Sequence, residues 1–233
     1  VPPPQVSRAR RVLIKPCASY PLPHPVTTSR ETLQIIINGI RQVSDADILI
    51  LEGTPGGGSV YPIYQALGYD FPRVLMLDVK DCISVEVENP LLHPFAISSF
   101  WVPNVVLSSD YLISVAPFKV FSTGGCFSIK NLLSLLPVAK YRGEAATGWG
   151  ALYSLGRQKV IADLYFTIPF DMGIIDARQK FIGVDDPTQG KIEEYGKIFA
   201  GEPLQVDREA SEQARIYTEH LYLIEAGKEE LRL

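Results

Sequence analysis

Apolar residues fall along this chain in short blocks of two kinds. Val12-Leu-Ile14, between Arg11 and Lys15 and halted by Pro16, is one unbroken block, and Ile48-Leu-Ile-Leu51, between Asp47 and Glu52, is another. Continuous apolar centres of this length predict strands of a parallel sheet covered on both faces. Between them Leu33, Ile36, Ile37 and Ile40 recur at i, i+3, i+4 and i+7, the spacing of an amphipathic helix. Thr27, Thr28 or Ser29 is placed to cap it. Strand, helix and strand over this span make a βαβ unit with a right-handed crossover.

The alternation continues. A short helix is expected near Val60 to Leu67, then strands at Arg73–Asp78 and Tyr111–Val115. Ile83–Glu88 alternates apolar and polar residues, as a half-exposed edge strand does. After Pro117, a flexible segment with Lys119 and the Gly124-Gly125 pair leads to a helix opened by Ser128, Lys130 and Asn131. The last strands are Asp171–Asp176 and Lys197–Ala200. Ala210, Ala214, Tyr217, Leu221 and Ile224 then mark a long C-terminal helix, broken near its end. The pattern predicts an α/β fold: a mostly parallel central sheet with helices on both faces, Rossmann-like, with an antiparallel edge. It reads as a single domain over residues 1–233, with a flexible arm at 1–10 and a C-terminal helical segment at 207–233.

Composition narrows the classes of function. A net charge of −4 gives no electrostatic reason to expect nucleic acid, and no basic run suggests a membrane surface. No apolar stretch reaches the length of a membrane span, and the N-terminus lacks the apolar core of a secretory signal. Cys17, Cys82 and Cys126 are odd in number and widely spaced, which argues against a disulfide framework or a zinc or iron–sulfur motif. A reducing, cytoplasmic setting is expected.

Ligands of open α/β sheets bind outside the carboxyl ends of the strands. There the sequence places Lys15, Glu52, Lys119, Lys130 and Asp176 on one rim, with Gly124, Gly125, Ser128 and Asn131 in the same glycine–helix segment. Lysines beside a helix N-terminus suit a carboxylate or phosphate. Lys15, Lys119 and Lys130 are therefore expected to hold a small anion, with Lys130, Glu52 and Asp176 as catalytic candidates. Glu52 or Asp176 would accept a proton if burial raised its pKa toward neutrality. Cys126 reads either as a low-pKa thiol or as a small buried residue. Gly56–Gly58 fits neither a P-loop nor a dinucleotide loop. Asp185, Asp186, Glu193 and Glu194 form an acidic group that reads as an exposed loop or as ligands for a hard cation. His24, His93 and His220 are scattered, without triad order or zincin spacing.

Several segments in order resemble the family known as domain of unknown function 362. They are Val12-Leu-Ile-Lys-Pro16, Val26-Thr-Thr28, Ile50-Leu-Glu-Gly53, Ala66-Leu-Gly-Tyr69, Ser109 to Val115, Ser128-Ile-Lys-Asn-Leu-Leu133, Ile175-Asp176 and Phe199 to Asp207. The resemblance implies an Asn where this chain has Cys17, and a K-x-K-T-H segment where it reads Pro117-Phe-Lys-Val-Phe121. An E-G-N-G-P type segment is likewise replaced by Asp176-Ala177 and Val184-Asp-Asp-Pro187. Many relatives append a cysteine-rich ferredoxin-like segment that is not seen here, so no iron–sulfur cluster is carried over. A looser likeness to the N-terminal domain of nickel-dependent lactate racemases would put Phe121 where the metal-binding histidine stands, which disfavours nickel.

Two readings follow. In one the chain binds a small anionic metabolite at the sheet rim, as an enzyme or a binding protein. In the other it is a non-catalytic module that assembles into a homo-oligomer through the heptad-like spacing of its C-terminal helix. An accessory role in redox metabolism is weaker without clustered cysteines.

Overall fold

Parallel strands β1 (Arg11–Pro16), β2 (Asp47–Glu52) and β3 (Val74–Asp78) form one half of a central sheet, with β6 (Tyr111–Phe121) and β8 (Met172–Gly183) beside them. The spatial order is β3-β2-β1-β6-β8-β9, and β9 (Gly190–Gly201) closes the far edge antiparallel to β8. β7 (Gly124–Cys126) is a short antiparallel seventh strand on β6. The computed structural model describes residues 2–144, 148–184, 186 and 188–231.

Helices α1 (Arg30–Val43), α2 (Tyr61–Ala66), α3 (Asn104–Leu107), α4 (Val138–Tyr141), α5 (Gly150–Tyr153), α6 (Arg157–Thr167), α7 (Pro203–Ala214) and α8 (Glu219–Glu230) cover the sheet. The period-2 alternation of each strand divides the core. Leu13, Leu49, Leu51 and Leu112 face one apolar cluster with α6 and α8, while Val12, Ile14, Ile48 and Ile113 face another with α1. Ser29 caps α1 by accepting from Thr32 N at 3.0 Å. The mixed α/β architecture, mostly parallel, is the one the apolar pattern predicts.

Several local expectations change. Ser84–Glu88 (β4) is not an edge of the main sheet but pairs with Ser99–Pro103 (β5) in a separate antiparallel ribbon. Pro117 does not end its strand, because β6 continues to Phe121 past an irregularity between Pro117 and Phe118. A bulge is where a strand tolerates proline's missing N–H. Lys119 and the two glycines therefore lie in a β6–β7 hairpin rather than in a flexible loop. The expected helix after Ser128 is a six-residue 3-10 turn, Lys130–Leu135, too short to act as a helix N-terminal anion site. The single C-terminal helix is two, parted at Arg215 in the left-handed conformation (φ 55°). Ala210, Leu221 and Ile224 are buried in the chain's own core, so only the exposed Tyr217 remains outside it among these buried-face positions named for assembly, with Ala214 partly covered. In the N-terminal arm, a 3-10 turn at Pro4–Arg8 buries Val6 against α1.

Candidate functional site

The site lies where one strand stops and another takes its place. β1 ends at Pro16 opposite Val115, and β7 begins on the same side of β6 with Cys126 opposite Lys119. Among the described residues no strand pairs with Ala116, Pro117 or Phe118 on that edge. A cavity of about 460 Å³ opens over this gap. Its lining includes Cys17, Lys119, Cys126, Lys130, Asn131 and Arg157.

Each of these side chains has a definite support. Lys119 is buried, and its ammonium donates to Val26 O at 2.9 Å and to Cys17 Sγ at 3.3 Å. Burial works against its charge, but the thiols of Cys17 and Cys126 outweigh that and leave its pKa raised. Lys130 opens the 3-10 turn with its ammonium 5.8 Å from the centre of the Phe121 ring. Asn131 donates through Nδ2 to Lys15 O at 3.1 Å and to Ser114 Oγ at 3.1 Å, closing the floor. Burial would push the Cys126 thiol up, yet Lys130, Lys119 and Arg157 together bring its pKa below the ordinary value. No carboxylate is among the described lining residues.

Of the residues singled out from sequence, Lys119, Lys130 and Asn131 thus meet at one cavity. The others do different work. Lys15 is fully buried and ion-paired to Glu52 at 2.9 Å, also donating to Pro16 O at 2.6 Å. Glu52 further accepts from Ala18 N at 2.6 Å and Gly53 N at 2.9 Å, so the pair is closed off and does not face the cavity. Asp176 is held ionised rather than poised to take a proton. Although burial opposes its charge, His24, Arg178 and Thr32 push its carboxyl far below the usual range. The Arg178 guanidinium reaches it at 2.8 Å and Thr32 Oγ1 at 2.6 Å. Gly124 and Gly125 shape the hairpin: Gly124 has φ +112°, and a Cβ on Gly125 would stand 2.2 Å from the Phe127 ring. Ser128 is buried and donates to Asp207 Oδ1, at 3.0 Å from N and 2.5 Å from Oγ.

In the acidic group, Asp185 lies outside the described residues. Asp186 accepts from Thr188 N at 2.8 Å, and Glu193 pairs with Lys191 at 2.7 Å. Among the described residues no three His, Cys, Asp or Glu side chains gather as metal ligands. No helix among them is long and apolar enough to cross a membrane.

Three contributors were not legible in sequence. Arg157 and Tyr153 come from the segment after the cavity wall, and nothing in their spacing announces a shared site with Lys119. Asp207 holds the backbone N–H groups of Ser128 and Ile129 and so fixes the turn that presents Lys130. Its carboxyl is pushed up to about 7 by burial, against those hydrogen bonds.

A mostly parallel α/β sheet with a cation-lined cavity beside its central strand defines the class of this protein. The chain belongs to the family described as domain of unknown function (DUF362), whose model matches residues 12–212. No curated protein matches it.

Proposed function

We propose that this protein binds a small anionic molecule, a carboxylate or phosphate, in the cavity between the end of β1 and the β6–β7 hairpin. One observation carries the reading: Lys119, Lys130 and Arg157 line a single cavity whose described lining holds no carboxylate, in a chain of net charge −4. Cations gathered without a facing carboxylate among the described residues repel one another, and an anionic ligand relieves that repulsion. The cavity also has the size of a small-molecule site and joins apolar walls, Leu133 and Trp149, to a few polar groups. Three cysteines that are free thiols suit a reducing compartment such as the cytoplasm.

Calorimetric titration of the full chain with sulfate and with malonate, at low ionic strength, tests this. Binding that weakens about tenfold in Lys130→Met and again in Arg157→Met is expected, as each removes a charged hydrogen-bond donor. Affinity unchanged in both variants overturns the reading.

A further inference from the structure

Cys126 and Cys17 approach the cavity from opposite sides of the strand gap, and the Lys119 ammonium stands between their strands. Lys119 is cross-strand from Cys126 and 3.3 Å from the Cys17 sulfur. Residues paired across an antiparallel ladder project to the same face of the sheet. Cys126 therefore shares its face with a buried ammonium, and both side chains line the cavity. Lys130 from the 3-10 turn, Arg157 from α6, Tyr20 and Tyr153 line it too, with His220 within electrostatic reach of Lys130 and Asp186 of Tyr20. No aspartate or glutamate is among the described residues of that wall.

A thiol ringed by cations and open to a cavity differs from an inert buried cysteine. Cys82 supplies the contrast within the same chain. It follows β3, donates to Asp78 O at 3.3 Å, and its pKa is pushed up by burial and by Asp78 and Asp81.

We propose that Cys126 is the nucleophile of this cavity, capturing electrophiles that carry a carboxylate or phosphate. The proposal rests on the anion-binding reading above and adds covalent chemistry to it. With a haloacetate, a sulfur lone pair forms the C–S bond as the C–I bond breaks. Iodide leaves with that electron pair, and the thiol proton has already gone to solvent. The same cations that lower the cost of the thiolate also hold the carboxylate of the incoming reagent, so reactivity and selectivity share one cause.

Alkylation of the reduced full-length protein with iodoacetate and with iodoacetamide, mapped by peptide mass spectrometry, tests it. At pH 7, Cys126 is expected to react severalfold faster with iodoacetate, while Cys82, beside its two aspartates, prefers the neutral reagent. Sulfate should protect Cys126 and not Cys82. Lys130→Met should slow carboxymethylation of Cys126 about tenfold, the effect of one pKa unit from a lost neighbouring charge. Preference of Cys126 for iodoacetamide, or faster labelling of Cys17, overturns the proposal. If sulfate still binds in that case, and binds Cys126→Ser equally, the failure belongs to the thiol alone. If sulfate binding is absent as well, the cavity reading fails with it.

Discussion

Lys15 Nζ stands 2.9 Å from Glu52 Oε1, with neither side chain exposed, at the ends of adjacent parallel strands. The pair ties β1 to β2 just below the cavity and orients Asn131, whose Oδ1 accepts from Lys15 at 3.3 Å. Removing one partner strands a buried charge, which costs about 3–5 kcal/mol. Glu52→Gln and Lys15→Met should each lose stability on that order in urea unfolding. The double variant should lose less than the two losses added, because the second substitution removes the charge that the first left alone. Additive losses would mean that the two groups act independently.

Asp207 and His220 titrate in opposite senses on folding. Burial pushes the Asp207 carboxyl up to about 7, against about 3.9 in the unfolded chain. The native state then holds a proton that the unfolded state has lost, so this contribution is full below about pH 4 and fades as pH rises to about 7. Burial, followed by the Lys130 charge, takes His220 down to about 3. Its contribution is full above the unfolded value of about 6.5 and is lost as pH falls toward 3. Between about pH 4.5 and 6 the two slopes, each at most about 1.4 kcal/mol per pH unit, largely cancel. Asp207→Asn should therefore steepen the acid loss of stability, and His220→Gln should make the protein lose stability as pH rises. Urea unfolding across pH 4 to 8 measures both, and parallel curves for all three proteins would refute the linkage.

The sheet was legible because its strands are buried on both faces, and unbroken apolar blocks such as Ile48–Leu51 have few alternatives. Proline usually ends a strand, so the pattern stops β6 at Pro117, whereas an irregular pairing with β8 absorbs it. The C-terminal break at Arg215 has no glycine to announce it. The site was half legible. Lys119, Lys130 and Asn131 are close in sequence, which local pattern captures. The rule that strand ends share a rim adds Lys15, Glu52 and Asp176, but it does not say which charges pair with one another. Arg157 joins only through the tertiary path of α6, which no spacing in the sequence reveals.

Gly125 has a steric duty beside the cavity. A Cβ there would overlap the Phe127 ring at 2.2 Å, and that ring packs on Phe118 with centroids 5.0 Å apart. Gly125→Ala must push the ring or the hairpin aside, an overpacking cost of about 1–3 kcal/mol. Thermal unfolding should report a lower midpoint, while Gly56→Ala, where a Cβ meets nothing within 4 Å, should leave it nearly unchanged. Equal midpoints for the two variants would remove the steric argument.

Phe121 sits where the family resemblance implies a histidine, and its ring lies 5.8 Å from the Lys130 ammonium. An aromatic face steadies that cation without competing for an anion. Imidazole at this position would instead add a titratable cation to the cavity edge. In Phe121→His, sulfate affinity should rise as pH falls from 8 to 6, since imidazole gains its proton near 6.5, somewhat lower beside Lys130. Sulfate keeps its own charge across this range, so any trend belongs to the protein. Wild type should show the shallower trend, because the Cys126 thiol, its pKa lowered by the cations around it, is common to both proteins and His220, down at about 3, stays neutral. Calorimetric titrations at the two pH values decide it: equal pH dependence in both proteins would place Phe121 outside the reach of the bound anion.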